Sequence, residues 1–247
     1  MSQRPLRSVP VYGWLFAATP PFGLTAGIAA AFEGGERVWW PVSRAWAAGI
    51  LRTAGIDDIE VRGVEKLEGL GHCVLMSNHQ SHLDPPLIIR SSSRPISFLA
   101  KIELFRFPGF GWALRRLGHI PVDRRQRESA FASIEKAAEE VAEGRAVLVF
   151  PEGTRGTEAD LLPFKKGGFV LAIKSGAPIV PIGIGGTRTV YPPGWWVTGR
   201  GGRVAMVVGD PIPTDGVTLE DKDALMAEVR ERISQLRDEA RRIAGFD

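Results

Sequence analysis

The stretch that decides the fold is "VLMSNHQSHLDPPLII", Val74 to Ile89. With Cys73 in front, "CVLMS" (73–77) is a short apolar run of the kind that forms a buried strand. The polar "NHQSHLD" (78–84) follows its carboxyl end. Asp84-Pro85-Pro86 then reads as a helix start, because aspartate is a good N-cap and proline is tolerated in a first turn. An apolar strand, a polar turn and a helix together make the repeating unit of an α/β sheet.

The same alternation continues in both directions. "IEVRGV" (59–64), "ISFLA" (96–100), "HIPV" (119–122), "AVLVF" (146–150), "IVPIGI" (179–184) and "VAMVV" (204–208) are the other strand candidates. Helical patterns separate them. The clearest is "RESAFASIEKAAEEVAEG" (127–144), with Phe131, Ile134, Ala138 and Val141 on one face and Gly144 as its stop. "KKGGFVLAIKSG" (165–176) and the stretch 219–244 are similar. The expectation is an α/β fold: a mainly parallel central sheet of about seven strands flanked by helices. Chemistry in such folds gathers at the carboxyl ends of strands. Gly185 to Gly202, with "YPPGWW" (191–196), reads as a long packed loop, or as one touching membrane or acyl chain.

The amino-terminal segment, 1–55, reads differently from the α/β domain, 56–247. Ser8 to Phe32 is a run of 25 residues without a charge. That length fits a bilayer span, and Arg4 and Arg7 ahead of it also fit a secretory signal. Pro20-Pro21 argues against both by splitting the run into halves too short to span. "RVWWPVSRAWAAGILRTAGI" (37–56) sets Trp39, Trp40 and Trp46 among Arg37, Arg44 and Arg52, which suits the headgroup interface. An amphipathic helix pair docked on one leaflet is the expectation.

The totals exclude some classes. Hydrophobic residues make up 44% of the 247, which excludes a disordered chain. A net charge of +3 is too small for a dedicated nucleic-acid binder. Between 106 and 127, however, six arginines (106, 115, 116, 124, 125, 127) face one acid, Asp123. Such a cluster is a solvated face or a site for phosphate or anionic lipid. Cys73, the single cysteine, can form no intrachain disulfide and fits a reducing compartment.

Three readings compete for His79 and Asp84. A metal site needs three or more ligands, and the remaining histidines, His72 and His119, have no companion at metal spacing. A bland reading makes Asp84 a helix cap and the histidines turn residues. In an acid–base reading, the carboxylate fixes the imidazole tautomer and the other ring nitrogen takes a proton from an alcohol. No serine nucleophile accompanies the pair, so that alcohol would belong to the substrate.

Two further stretches carry polar groups after strand ends. "VLVFPEGTRG" (147–156) holds Glu152, Thr154 and Arg155 between Gly153 and Gly156. Arginine with free backbone N–H groups suits a phosphate monoester. The turn lacks the G-x-x-x-x-G-K-[ST] pattern of a nucleotide loop, and alone it reads equally well as a surface turn. In "KIELFRFPGFGWALRRLGHIPVDR" (101–124), Lys101 and Arg124 each follow a strand. Phe105, Phe107, Phe110 and Trp112 between them fit an acyl-binding wall or ordinary core.

Taken in order, "NHQSHLD", "KIELFRFPGFGWALRRLGHIPVDR", "FPEGTRG" and "IVPIGI" resemble the four successive motifs of the glycerolipid acyltransferase family. The likeness runs from Ile59 to Val208, and the amino-terminal pair resembles the membrane-docking helices of some members. Gly156 departs from the pattern, because many members carry serine there. The resemblance implies transfer of a fatty acyl group from acyl-CoA or acyl carrier protein to the free hydroxyl of lysophosphatidate, giving phosphatidate. It makes His79 the general base and Asp84 its orienting partner. Lys101, or a backbone N–H near it, becomes the donor to the oxyanion. Arg155 and Arg124 go to the acceptor phosphate, within a binding turn of Glu152, Gly153 and Thr154 in which Glu152 holds Arg155. His82 is left structural. A thioester is already activated, so no metal or redox cofactor is implied. The partners implied are a thioester donor, a lysophospholipid and the membrane surface, at the cytoplasmic face of the cell membrane where donors are made. Alternatives are another acceptor (lyso-ornithine lipid, another lysophospholipid or glycerol 3-phosphate), a metal-dependent phosphohydrolase using His79, His82 and Asp84, and a non-catalytic lipid-binding protein.

Overall fold

The computed structural model describes residues 8–107, 109–123, 127–156, 160–192 and 201–246, with backbone alone for 127–132. Seven strands form one sheet: β1 (Ile56–Arg62), β2 (Cys73–Ser77), β3 (Ser97–Lys101), β4 (Ile120–Val122), β5 (Ala146–Val149), β6 (Ile179–Gly185) and β7 (Gly202–Val208). Their order is β1-β7-β6-β2-β5-β3-β4. Every pairing is parallel except β6 with β7. The chain leaves β2 for β3 and β4 on one side and later adds β6 and β7 on the other. β2 therefore stands where the strand order reverses, the usual place for a site in an open α/β sheet.

Both faces are covered. Helices α1 (Ser8–Ala29), α2 (Glu36–Thr53), α3 (Asp84–Ser91) and α4 (Phe110–Arg116) precede α5 (Arg127–Ala142), α6 (Gly167–Ser175), α7 (Thr187–Val190) and α8 (Lys222–Ile243). Side chains alternate along β2. Leu75 packs with Leu51 of α2 and Ile88 of α3, whereas Val74 and Met76 pack with Phe169 of α6 and Ile233 of α8. Burial on both faces explains why the central strands read as continuous apolar runs.

Three local readings are corrected. Pro20-Pro21 does not split α1, which runs unbroken through both prolines. The reason lies in α2, which acts as a splint across the lost backbone bonds. Trp14 Nε1 donates to Trp46 O at 3.1 Å, and Trp46 Nε1 donates to Thr19 Oγ1 at 3.1 Å. Asp84 begins α3 but makes no cap bond to it, and its carboxylate turns back over the preceding loop. The stretch 185–202 is not all loop, since α7 lies within it and Tyr191 is buried. Trp195 and Trp196 lie outside the described residues.

Candidate active site

The loop after β2 is held from every side. The Asn78 amide bridges to β6, donating to Ile184 O at 3.0 Å and accepting from Ile184 N–H at 2.8 Å. Ser81 Oγ donates to Tyr191 O at 2.9 Å. The His79 N–H donates to Glu152 Oε1 at 2.8 Å, and the Gly156 N–H donates to His79 O at 2.7 Å. The two polar turns, 73 residues apart along the chain, thus form one structure.

Inside this frame His79 Nδ1 lies 2.9 Å from Asp84 Oδ2. A carboxylate accepts, so Nδ1 carries the proton and Nε2 keeps its lone pair. Oδ2 also accepts the N–H groups of Gln80 at 2.7 Å and Ser81 at 2.8 Å. Oδ1 accepts from Thr187 Oγ1 at 2.6 Å. Asp84 is fully buried, and these four donors offset the desolvation of its charge. The His79 ring is 18% exposed and stacks on Phe150, with centroids 4.1 Å apart and an interplanar angle of 22°.

Glu152 does not pair with Arg155. Its second oxygen accepts the Leu162 N–H at 2.9 Å, so the side chain ties together backbone from both turns. Burial raises its pKa, and the two backbone N–H groups oppose that rise. Gly153 has φ +72°, a left-handed turn that favours glycine. A Cβ at position 156 would stand 2.6 Å from Glu152 Oε2, so glycine at that position leaves room for the buried carboxylate. Arg155 is half-buried and makes no ion pair among the described residues. Arg188 approaches from α7, donating to Gly156 O at 2.7 Å. His82 has a lowered pKa, first from burial and then from the nearby Arg155 and His79. Lys101 ends β3 on the same edge of the sheet and pairs with Glu103 at 3.3 Å. Thr154 is exposed beside Arg155. Arg124 lies outside the described residues.

Thr187, Arg188 and Asn78 escaped the sequence reading as site residues. The first two lie just beyond "IVPIGI", the last of the four motifs, in a stretch that reads as loop. Asn78 belonged to a quoted motif, but its bridge to β6 needs a partner 106 residues away.

An apolar cavity of about 330 Å³ opens beside His79. It lies between the α1–α2 pair and the sheet, with Phe22, Trp46, Phe98, Phe110 and Leu148 among its walls. Phe110 lines the cavity, whereas Phe105 is buried and Phe107 is 60% exposed. Among the described residues, no three His, Cys, Asp or Glu side chains converge as a metal site would require.

The acyltransferase family profile matches residues 58–185, which contain both polar turns. A 1-acyl-sn-glycerol-3-phosphate acyltransferase of Saccharomyces cerevisiae is 32% identical over 216 residues, covering 86% of this chain and 70% of the relative. A chloroplastic enzyme of the same name from Brassica napus is 36% identical over 154 residues, 62% of this chain and 44% of its own length. The crystal structure of the 1-acyl-sn-glycerophosphate acyltransferase PlsC of Thermotoga maritima superposes with a TM-score of 0.81 at 26% identity, covering 94% of each chain. This chain belongs to the acyltransferase family. It spans about half the length of the chloroplastic relatives, at 44% and 49%.

Proposed function

We propose that this protein is a membrane-docked acyltransferase that moves a fatty acyl group from a thioester, acyl-CoA or acyl carrier protein, to the free hydroxyl of lysophosphatidate, forming phosphatidate. The observation that carries the reading is the position of His79: it borders an apolar cavity, and its backbone is bonded into the turn that holds Arg155.

The chemistry follows from that arrangement. His79 Nε2 accepts the proton of the acceptor hydroxyl as its oxygen attacks the thioester carbonyl. Asp84 stabilises the imidazolium that forms. Lys101, or a backbone N–H near it, donates to the tetrahedral oxyanion. Collapse expels the thiolate, which takes the proton back from the imidazolium. Arg155, with Arg124, binds the acceptor phosphate, and the Glu152-Gly153-Thr154 turn presents Arg155. The acyl chain occupies the cavity.

Exposed apolar side chains support docking. Phe16, Leu24, Ile28 and Phe32 of the α1 region are 81%, 57%, 50% and 69% exposed, and Leu104 and Phe107 add to them from the segment after β3. An apolar surface of this kind belongs in an interface. No described helix is long and apolar enough to cross a membrane. We therefore assign residues 1–55 a docking role, at the cytoplasmic face where thioester donors are made.

The decisive assay supplies donor and lysophosphatidate to wild type and His79→Ala. Loss of a general base costs about a hundredfold to ten-thousandfold. Equal phosphatidate formation by both proteins would reject the assignment. Arg155→Ala should raise KM for the acceptor more than it lowers kcat. A panel of acceptors, including glycerol 3-phosphate and lyso-ornithine lipid, separates lysophosphatidate from its competitors.

A further inference from the structure

A second cavity, of about 370 Å³, lies at the amino ends of β3 and β5, sharing Trp39 and Leu117 with the walls of the first. Three arginines line it: Arg94, Arg116 and Arg145. They come from three separate segments, and one, Arg116, belongs to the arginine-rich stretch 106–127, of which the catalytic reading uses only Arg124.

Each is held differently. Arg94 is fixed by backbone, donating to the carbonyls of Leu70, Gly71 and Gly144. Arg145 Nη1 lies over Gly118 and 3.3 Å from Glu140 Oε2. Arg116 stacks on Trp112, 6.0 Å from the ring centroid. Neither Arg94 nor Arg116 forms an ion pair with a carboxylate among the described residues. Glu36 also lines the cavity and Glu140 adjoins it, so three cations face two carboxylates and the balance stays positive. The Ser97 side chain adds a neutral hydroxyl.

The neighbouring segments indicate which anion belongs there. Trp112 packs on Gly27 of α1, where an added Cβ would stand 2.3 Å from the indole. Trp112 is 39% exposed, with Ile28 and Phe32 close by in the chain from Gly27. Ala30 lines the cavity and sits between exposed Ile28 and Phe32 in the chain, and a cationic hollow with exposed apolar groups this near along the chain matches a phosphate headgroup with acyl chains beside it. We propose that Arg94, Arg116 and Arg145 form a second lipid site, distinct from the active site, that binds the phosphate of an anionic glycerophospholipid and fixes how the docked enzyme is oriented. The proposal rests on the membrane-docking reading above.

Vesicle flotation tests both separately. Vesicles are made of phosphatidylcholine alone or of an equal mixture with phosphatidylglycerol. Wild type should prefer the mixture. Arg116→Gln with Arg145→Gln should lose that preference, by roughly fivefold per arginine, and keep its binding to phosphatidylcholine. Arg232→Gln with Arg242→Gln on α8, the same change of charge elsewhere, should keep it. Phe32→Ser should weaken binding to both vesicle types; if it does not, the docking reading fails instead. Activity on detergent-dispersed substrates confirms that the arginine variants fold. Full retention of the phosphatidylglycerol preference in the Arg116/Arg145 variant overturns the proposal. So does an arginine-dependent thermal shift with inorganic phosphate in a protein whose vesicle preference is unaltered, because the site would then serve free phosphate.

Discussion

The Asp84 carboxylate takes two backbone donors from its own loop and one side-chain hydroxyl from far away, Thr187. Thr187→Val keeps the shape and removes the hydrogen bond. A buried oxygen that loses its donor costs about 1–3 kcal/mol. The variant should show lower kcat with little change in either KM, and Thr187→Ser should restore kcat. A second residue-scale expectation concerns pH. Burial lowers the His119 pKa from 6.5 to about 4, and its Nδ1 accepts the Phe98 N–H at 3.2 Å. The folded pKa lies below the unfolded one, so unfolding takes up a proton between those values. Stability from this residue is complete above about 6.5 and is lost as the pH falls towards 4. Urea midpoints measured across that window should fall with acidification, less steeply in His119→Gln. His79 and Asp84 were legible as a pair because a five-residue turn brings them together. Thr187 was not, because no local pattern records a contact across 103 residues.

The elements were legible wherever both faces of a strand are buried or one face of a helix is apolar. β2 was read with its observed ends, and β5 and β6 to within a residue. Less legible was why β6 reads "IVPIGIG". An added Cβ at Gly183 would lie 2.1 Å from backbone of Leu236, and one at Gly185 would lie 2.5 Å from backbone of Ala240. The glycines let α8 lie directly on the strand, and the obstacle is main chain that cannot rotate away. Gly183→Ala should therefore destabilise the protein by about 1–3 kcal/mol, read as a lower urea midpoint. Because Asn78 reaches β6 at Ile184, the same variant should also lose activity below its unfolding temperature. The continuity of α1 was illegible for a related reason. Two prolines argue for a break, and only the packing of Trp14 and Trp46 across the pair overrides it.

At the scale of the whole molecule, the α1–α2 pair has two surfaces with separate consequences. Its outer side carries Phe16, Leu24 and Phe32, and its inner side roofs the cavity beside His79. α2 also enters the core of the sheet through Ala47, Ile50 and Leu51, and Trp40 Nε1 donates to Ser92 O at 3.4 Å. A helix of the pair proposed to dock on the membrane is thus also one wall of the proposed acyl site, so a change in the roof should alter which donors are used. Gly23 provides the test. It lines the cavity, and an added Cβ there meets only Ala113 Cβ, at 3.6 Å, an ordinary contact. Gly23→Leu replaces a poor helix former with a good one, worth about 1 kcal/mol of helix propensity, and directs its side chain into the space a chain would fill. The fold should be kept, with an unchanged or higher unfolding temperature. The ratio of kcat/KM for long over short acyl donors should drop, because the far end of a long chain meets the new side chain. An unchanged ratio in a well-folded variant would mean that the acyl chain lies elsewhere.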